Sequence, residues 1–313
     1  MFLRIDNLSK AHEGKPVLSN VSFTVPEDSV VSLIGPSGVG KTTLLKIIAG
    51  LDEPDSGQLI FSEPPNRENP VILVFQDYLL FPNLTVFDNV AFGLRARKIG
   101  RREIEQRVMG FLDHFQLANK RRAYPAALSA GQRQRVAIAR AMVVNPAMLL
   151  LDEPFANLDR NLKLRTAEFI RDTQKEFGVT TIAVTHDQEE AFLMSDSVGV
   201  MLGGTIAQFA PAKEVYTSPV NMEVAQFLGP VNVLPEALAL RLGAQPGNGG
   251  FYVRPESLHI TLHPDGIGVV TDAIFVGHYV KYAIDVEGTS LIVYTTDSGA
   301  HCGDRVNLVL NNQ

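Results

Sequence analysis

Val30-Val31-Ser32-Leu33-Ile34-Gly35-Pro36-Ser37-Gly38-Val39-Gly40-Lys41-Thr42-Thr43-Leu44-Leu45-Lys46-Ile47-Ile48-Ala49-Gly50 is an apolar run, a glycine-rich turn and an amphipathic run stopped by glycine. That order predicts a buried strand, a tight loop and a helix. Gly35 to Thr42 form a complete phosphate-binding loop. Glycines let successive backbone N–H groups converge on phosphate oxygens with no Cβ in the way. The helix start adds the positive end of a dipole. Lys41 carries a full charge toward β- and γ-phosphates, and the Thr42 hydroxyl is placed to ligate Mg²⁺. Gly35, Pro36, Ser37, Gly38, Val39, Gly40, Lys41, Thr42 and Thr43 are the candidate nucleotide contacts.

A phosphate loop alone does not separate kinases, GTPases and transport ATPases. Ala147-Met148-Leu149-Leu150-Leu151-Asp152-Glu153-Pro154 narrows the choice, as an apolar strand ending in two carboxylates. Asp152, at the strand tip, suits a magnesium ion held through water. Glu153, one residue on, points elsewhere and suits a base that polarises an attacking water. A GTPase would carry an Asn-Lys-x-Asp element, which this sequence lacks.

Further apolar runs at Val71–Phe75, Thr181–Thr185 and Ser197–Met201 are separated by helical patterns, which predicts a parallel sheet covered on both faces. From about 88 to 140 the pattern is helical; Ile104, Val108, Phe111, Leu112 and Phe115 share one face, as expected of a helical insertion. A basic run, Arg95 to Arg102, opens it and reads as a solvated surface or a partner contact. Past Pro230 the texture changes to short runs: Phe251–Arg254, Leu258–Leu262, Gly268–Val276, Val280–Val286, Ser290–Tyr294 and Arg305–Leu310. Turn signals such as Gly247-Asn248-Gly249-Gly250, Glu287-Gly288 and Ser298-Gly299 divide them, predicting a small all-β barrel or sandwich. With 313 residues, two domains are expected, 1–230 and 231–313. The net charge of −6 argues against a general nucleic-acid binder, and the acidic C-terminal region against an oligonucleotide barrel. The single cysteine, Cys302, excludes an intrachain disulfide and is expected as small apolar filler. No apolar run reaches membrane-spanning length and no leader opens the chain, so a cytoplasmic location is expected, with any membrane role supplied by a partner.

Leu128-Ser129-Ala130-Gly131-Gln132-Arg133-Gln134-Arg135 opens another amphipathic helix. With it, the chain resembles the ATP-binding cassette (ABC) ATPases, whose hallmark is Leu-Ser-Gly-Gly-Gln upstream of the acidic strand. Gln76 in Val74-Phe75-Gln76-Asp77 matches the glutamine loop, Ala156-Asn157-Leu158-Asp159 the aspartate loop, and His186 in Val184-Thr185-His186-Asp187 the switch histidine. The resemblance covers about two-thirds of the chain. It implies an α/β fold: a RecA-like P-loop ATPase core with a helical subdomain. ATP and Mg²⁺ are the implied ligands. Glu153, His186 and Gln76 are the implied catalytic set, and Thr42, Gln76 and Asp152 the metal contacts. Gln76 would report nucleotide state to the insertion, and His186 would bond the γ-phosphate. Ser129, Ala130, Gly131, Gln132 and Asp159 would serve the ATP held by a second copy in a head-to-tail homodimer. Two departures stand out. Ala130 replaces the first signature glycine, which suits a first helical turn but not a positive φ. His12 takes the place of the family's adenine-stacking aromatic and reads equally as a surface histidine in a strand turn.

Tyr78 to Val90 is apolar for a loop and resembles the same segment of bacterial importer ATPases that carry a C-terminal OB-like TOBE domain. Phe227-Leu228-Gly229-Pro230-Val231-Asn232 and Val253-Arg254-Pro255-Glu256 resemble the junction and the start of that domain. The resemblance implies a subunit peripheral to the cytoplasmic face of the inner membrane. Its partners would be permease subunits and, indirectly, a solute-binding protein, with no nucleic acid. Val86 to Arg95 is most similar to sulfate/thiosulfate importer ATPases; iron(III), molybdate, polyamine and sugar importers share much of it. A soluble ABC ATPase of DNA repair or translation, and a nucleotide sensor led by its β domain, are the competing classes.

Overall fold

The computed structural model describes residues 1–156, 159–247, 250–296 and 299–311. Asn157 and Leu158 of the aspartate loop, Asn248 and Gly249 of the glycine-rich turn, and Asp297 and Ser298 lie outside the described residues. The chain divides into two compact units, Met1–Val215 and Tyr216–Gln313.

The first unit opens with β1 (Leu3–His12), β2 (Lys15–Val25), β3 (Val30–Ile34), α1 (Lys41–Ile48), β4 (Ser56–Phe61) and β5 (Val71–Val74). The helical insertion follows as α2 (Val86–Ala96), α3 (Arg101–His114) and α4 (Ala130–Met142). Next come β6 (Met148–Asp152), α5 (Arg160–Phe177), β7 (Thr180–Thr185), α6 (Gln188–Met194), β8 (Ser197–Leu202), β9 (Thr205–Pro211) and α7 (Ala212–Thr217), whose last two residues belong to the second unit.

Six strands form the main sheet in the order β5-β6-β7-β3-β8-β9. All neighbours run parallel except β9, which returns antiparallel along β8. β3, β6 and β7 are buried at every position, the reason their sequences are apolar without alternation. The pleat sorts their side chains. Val30, Leu149, Leu151 and Ala183 join the core shared with α2–α5, while Val31, Leu33, Leu150, Ile182 and Val184 join the core shared with α1 and β1–β2. In α3, Ile104, Val108 and Leu112 are buried, and Phe115 is buried just beyond its end.

A second, antiparallel sheet, β2-β1-β4, was not part of the sequence expectation. Its strands are half-buried: Leu3, Ile5 and Leu8 face inward in β1, and Val21, Phe23 and Val25 in β2. Register shifts between Ile5 and Leu8 break the period-two pattern that would have announced it. No helix among the described residues is long and apolar enough to cross a membrane.

The second unit holds α8 (Met222–Phe227), β10 (Asn232–Leu234), α9 (Glu236–Leu242), β11 (Phe251–Val253), β12 (Leu258–Leu262), β13 (Gly268–Phe275), β14 (Val280–Val286), β15 (Thr289–Thr295) and β16 (Arg305–Leu310). Five strands pair antiparallel in the order β12-β16-β13-β14-β15, and β10 pairs with β11. Val280, Tyr282, Ile284 and Val286 alternate inward along β14. The helix α9 interrupts the expected all-β region; Pro235 precedes it and Gly243, at φ 72°, ends it. Cys302 is exposed, contrary to expectation: it sits in a turn, its thiol donating to the Thr271 carbonyl at 3.3 Å.

Candidate functional site

The loop after β3 is shaped by its glycines in different ways. A Cβ on Gly35 would lie 2.3 Å from the Met201 carbonyl oxygen, and one on Gly40 2.7 Å from Leu18 Cδ2 and 2.8 Å from the Val17 carbonyl oxygen. Both positions are closed by packing. Gly38, at φ 80°, is left-handed and open, since its Cβ would meet no protein atom within 4 Å. Pro36, Ser37 and Gly38 are exposed, while Val39 and Thr43 are half-buried. Lys41 is buried, and its Nζ donates to the carbonyls of Gly35 at 2.7 Å and Pro36 at 3.0 Å. The Thr42 hydroxyl donates to Asp152 Oδ1 at 3.0 Å.

Strand register brings the remaining groups to the same edge. Ile34 of β3 aligns with Thr185 of β7, and Val184 of β7 aligns with Asp152 of β6. Gly35, Glu153 and His186 therefore leave three adjacent strands at their carboxyl ends, where open α/β sheets bind ligands. The Glu153 N–H donates to the Val184 carbonyl at 3.0 Å, and Glu153 adopts φ 45°. Its Oε2 stands 3.4 Å from His186 Nδ1.

Two buried charges in the site are shifted in opposite senses by one cause. Burial pushes the Lys41 ammonium below the ordinary lysine range, opposed by the charges of Glu153 and Asp152. Burial pushes the Asp152 carboxyl up; the Thr42 hydrogen bond opposes this and the Glu153 charge adds to it. An anion beside Lys41 and a cation beside Asp152 would relieve both. Hydroxyl and carboxylate oxygens side by side are the hard donors that Mg²⁺ takes together with phosphate oxygens. Among the described residues no group of three or more His, Cys, Asp or Glu is arranged to hold a metal ion.

The remaining sequence candidates lie on other elements; Gln76 follows β5 at the same sheet edge, since Val74 of β5 aligns with Leu151 of β6. Gln76 is exposed in the turn after β5. His12 is exposed where β1 turns into β2 through Glu13 at φ 50° and Gly14 at φ 76°. Ser129 is the N-cap of α4 in a capping box: its Oγ accepts from the Gln132 N–H at 3.3 Å, and Gln132 Oε1 accepts from the Ser129 N–H at 3.1 Å. Ala130 is the first residue of that helix and is absent from the left-handed positions, so the missing signature glycine leaves no strain. A Cβ on Gly131 would be 3.3 Å from Leu162 of α5, whose N–H donates to the N-cap carboxylate of Asp159 at 3.0 Å. The starts of α4 and α5 thus pack together, presenting exposed Ser129 and Asp159.

Sequence reasoning passed over several buried polar groups around the site. Gln134 lies inside the signature segment yet had no assigned role; its Nε2 donates to the Pro154 carbonyl at 2.7 Å. Arg140 grips the carbonyls of Tyr78 and Leu79. Glu190 is buried, bonded to Thr185 and 2.9 Å from Lys163. No spacing signal links partners so far apart in the chain.

Residues 18–156 match the ABC transporter family and residues 251–313 the TOBE domain family. A spermidine/putrescine import ATP-binding protein of Spiroplasma citri is 37% identical over 335 residues, covering 99% of this chain and 95% of the relative. An Fe(3+) ions import ATP-binding protein of Haemophilus influenzae is 40% identical over 284 residues, covering 88% and 85%. Among solved structures, cbiO1 of Clostridium perfringens, part of the ABC transporter complex cbiONQ, matches with a TM-score of 0.64 and 32% identity, over 68% of this chain and 90% of that one. An ATP-binding cassette solved as a dimer in a post-hydrolysis state bound to ADP and Pi matches with a TM-score of 0.59 and 29% identity, over 67% and 98%. The chain belongs to the ABC transporter family, as an importer-type ATPase with a C-terminal TOBE domain.

Proposed function

We propose that this ATPase works as a head-to-tail homodimer that clasps two magnesium-bound ATP molecules and drives solute import through membrane permease subunits. The observation that carries the reading is the division of the motif residues into two groups. The phosphate loop, Asp152, Glu153 and His186 converge at one sheet edge, whereas Ser129 and Asp159 are exposed together at the starts of α4 and α5. A helix start capped by a hydroxyl is an anion site in its own right, free to meet the γ-phosphate of a second copy. The closed dimer then gains contacts only when triphosphate is present, which makes binding and cleavage a switch.

Within one copy, the loop N–H groups and Lys41 hold the phosphates, while Thr42 and Asp152 hold Mg²⁺. When bound, that ion neutralises charge on the phosphate oxygens. Glu153 takes a proton from the attacking water, and His186, oriented by Glu153, donates toward the γ-phosphate. Gln76, in the turn before the helical insertion, would join Thr42 and Asp152 in holding the ion. His12 lies on the hairpin whose second strand packs on Gly40, which supports an adenine contact. Residues 1–230 make the cassette and residues 231–313 the regulatory domain.

Exposed Leu79, Phe81 and Phe92 form the permease-docking patch, with the two phenylalanine rings 4.4 Å apart. The patch supports a subunit that works at the cytoplasmic face of the inner membrane. The cassette touches no cargo, so the solute is chosen by permease and solute-binding protein. The similarity of Val86 to Arg95 favours sulfate or thiosulfate; the named relatives favour a polyamine or iron(III). Uptake of each labelled solute by cells carrying the chain with its cognate permease decides among them. The motor reading is tested with Glu153→Gln: it should bind ATP, accumulate as a dimer on gel filtration and lose turnover by at least about a hundredfold. Wild-type turnover would remove Glu153 from its role, and a monomer with ATP bound would remove the shared site.

A further inference from the structure

The Pro154 carbonyl is where three of the motifs meet. It follows Glu153 directly and accepts from Gln134 Nε2 at 2.7 Å and from the Tyr78 hydroxyl at 3.4 Å. Gln134 belongs to α4, the helix capped by Ser129, and is 1% exposed. Tyr78, also buried, sits just after Gln76. Further along α4, Arg140 donates through Nη1 to the Leu79 carbonyl at 2.9 Å and through Nη2 to the Tyr78 carbonyl at 3.0 Å.

The backbone at this junction is strained on both sides. Glu153 (φ 45°), Tyr78 (φ 59°) and Leu79 (φ 40°) are left-handed without being glycine. Such residues keep that conformation only where their surroundings over-determine it. Gln134 supplies one such constraint at a visible cost, because its Oε1 is buried without a partner among the described residues. Turning the amide over would aim that oxygen at the Pro154 carbonyl and lose the 2.7 Å bond, so Pro154 sets its orientation. A methionine or leucine would fill the same space with no unpaired polar atom of its own, leaving the Pro154 carbonyl to the longer Tyr78 bond. The glutamine is therefore explained by what its Nε2 holds.

We infer that Gln134 is a positioning residue for Glu153: by fixing the Pro154 carbonyl it holds the left-handed turn that aims the Glu153 carboxylate. Tyr78 is a second, longer support from the side of the glutamine loop. The helix that offers Ser129 to one nucleotide thereby sets the base that acts on the other. This rests on Glu153 being the general base, and the experiment separates the two.

The full-length chain is compared with Gln134→Met, Tyr78→Phe, Glu153→Gln and the double variant Gln134→Met/Glu153→Gln. A general base is worth about 10²–10⁴ in rate, and misplacing a reacting group by about an ångström costs up to about a hundredfold. Gln134→Met should thus lower kcat about ten- to a hundredfold with KM for ATP unchanged, and Tyr78→Phe should lower it by a smaller factor. The double variant should trap as much ATP-bound dimer as Glu153→Gln alone. A merely structural role would move KM, the melting temperature and dimer trapping together, and that result overturns the inference. So does an unchanged kcat in Gln134→Met while Glu153→Gln is inactive. Turnover by Glu153→Gln would instead refute the underlying reading of the base. Should Gln134→Met fail to fold, Tyr78→Phe decides: a lowered kcat at constant KM supports the inference, and an unchanged kcat overturns it.

Discussion

Replacing Gly38 and Gly40 separately by alanine asks whether the loop after β3 is a phosphate cradle or only a tight turn. Both residues are left-handed, at φ 80° and 107°, so each alanine carries a backbone penalty of about 1–2 kcal/mol. At Gly38 the penalty ends there, because the new Cβ meets nothing. At Gly40 the Cβ also falls 2.8 Å from the Val17 backbone oxygen, which cannot rotate away as a side chain would. Overpacking of that kind adds about 1–3 kcal/mol. For a unit of this size each kcal/mol lowers the melting temperature by about 2–4 °C. Gly40→Ala should therefore melt clearly below Gly38→Ala, by calorimetry on the nucleotide-free chain. The order inverts when specificity is considered. Gly38→Ala puts a methyl group on the open side of the loop, so ATP affinity should fall by about tenfold or more, roughly 1.4 kcal/mol. Titration with a fluorescent ATP analogue measures it. Undiminished affinity in Gly38→Ala would refute the cradle, and equal melting temperatures would refute the packing argument.

Ala130→Gly should leave turnover equal or raised while costing about 0.5–1 kcal/mol in helix propensity, read from paired ATPase assays and urea melts; a loss of turnover would mean that alanine is required there. Asn89 is buried, accepts from the Phe81 N–H and donates to the carbonyls of Phe81, Leu84 and Thr85. Asn89→Leu leaves the Phe81 N–H and the Leu84 carbonyl unpaired, while the Phe81 and Thr85 carbonyls keep the backbone N–H groups of Leu84 and residue 89, so it should destabilise by about 2–4 kcal/mol and weaken co-purification with the permease. The Thr85 hydroxyl first, and Arg95 second among the attractive partners, hold the Asp88 carboxyl below its ordinary value. A depressed folded-state value gives stability that is present above about pH 4 and lost as pH falls through the folded value, so Asp88→Asn should flatten the acid limb of the melting-temperature profile.

Much of this protein could be read from consecutive residues. The strand, loop and helix around Gly35–Thr42, the acidic strand end at Asp152, and the switch from helical to alternating texture past Pro230 are local patterns. They depend on glycine φ angles, helix caps and hydrophobic period, all of which neighbours in sequence decide. The half-buried sheet β2-β1-β4 escaped notice because bulges break its period, and α9 because it is short and set among strands.

The order and chemistry of the motifs were thus set by the chain itself, down to which residues could meet a phosphate. Their meeting was not. Thr42 reaches Asp152 and Glu153 faces His186 only because β3, β6 and β7 lie side by side in one register, and Gln134 holds the carbonyl beside Glu153 because α4 packs on the same sheet. Contacts between residues so far apart are fixed by strand order and core packing, which no local pattern encodes. Even the exposure of Ser129 and Asp159, on which the proposed shared site depends, is a property of how α4 packs on α5.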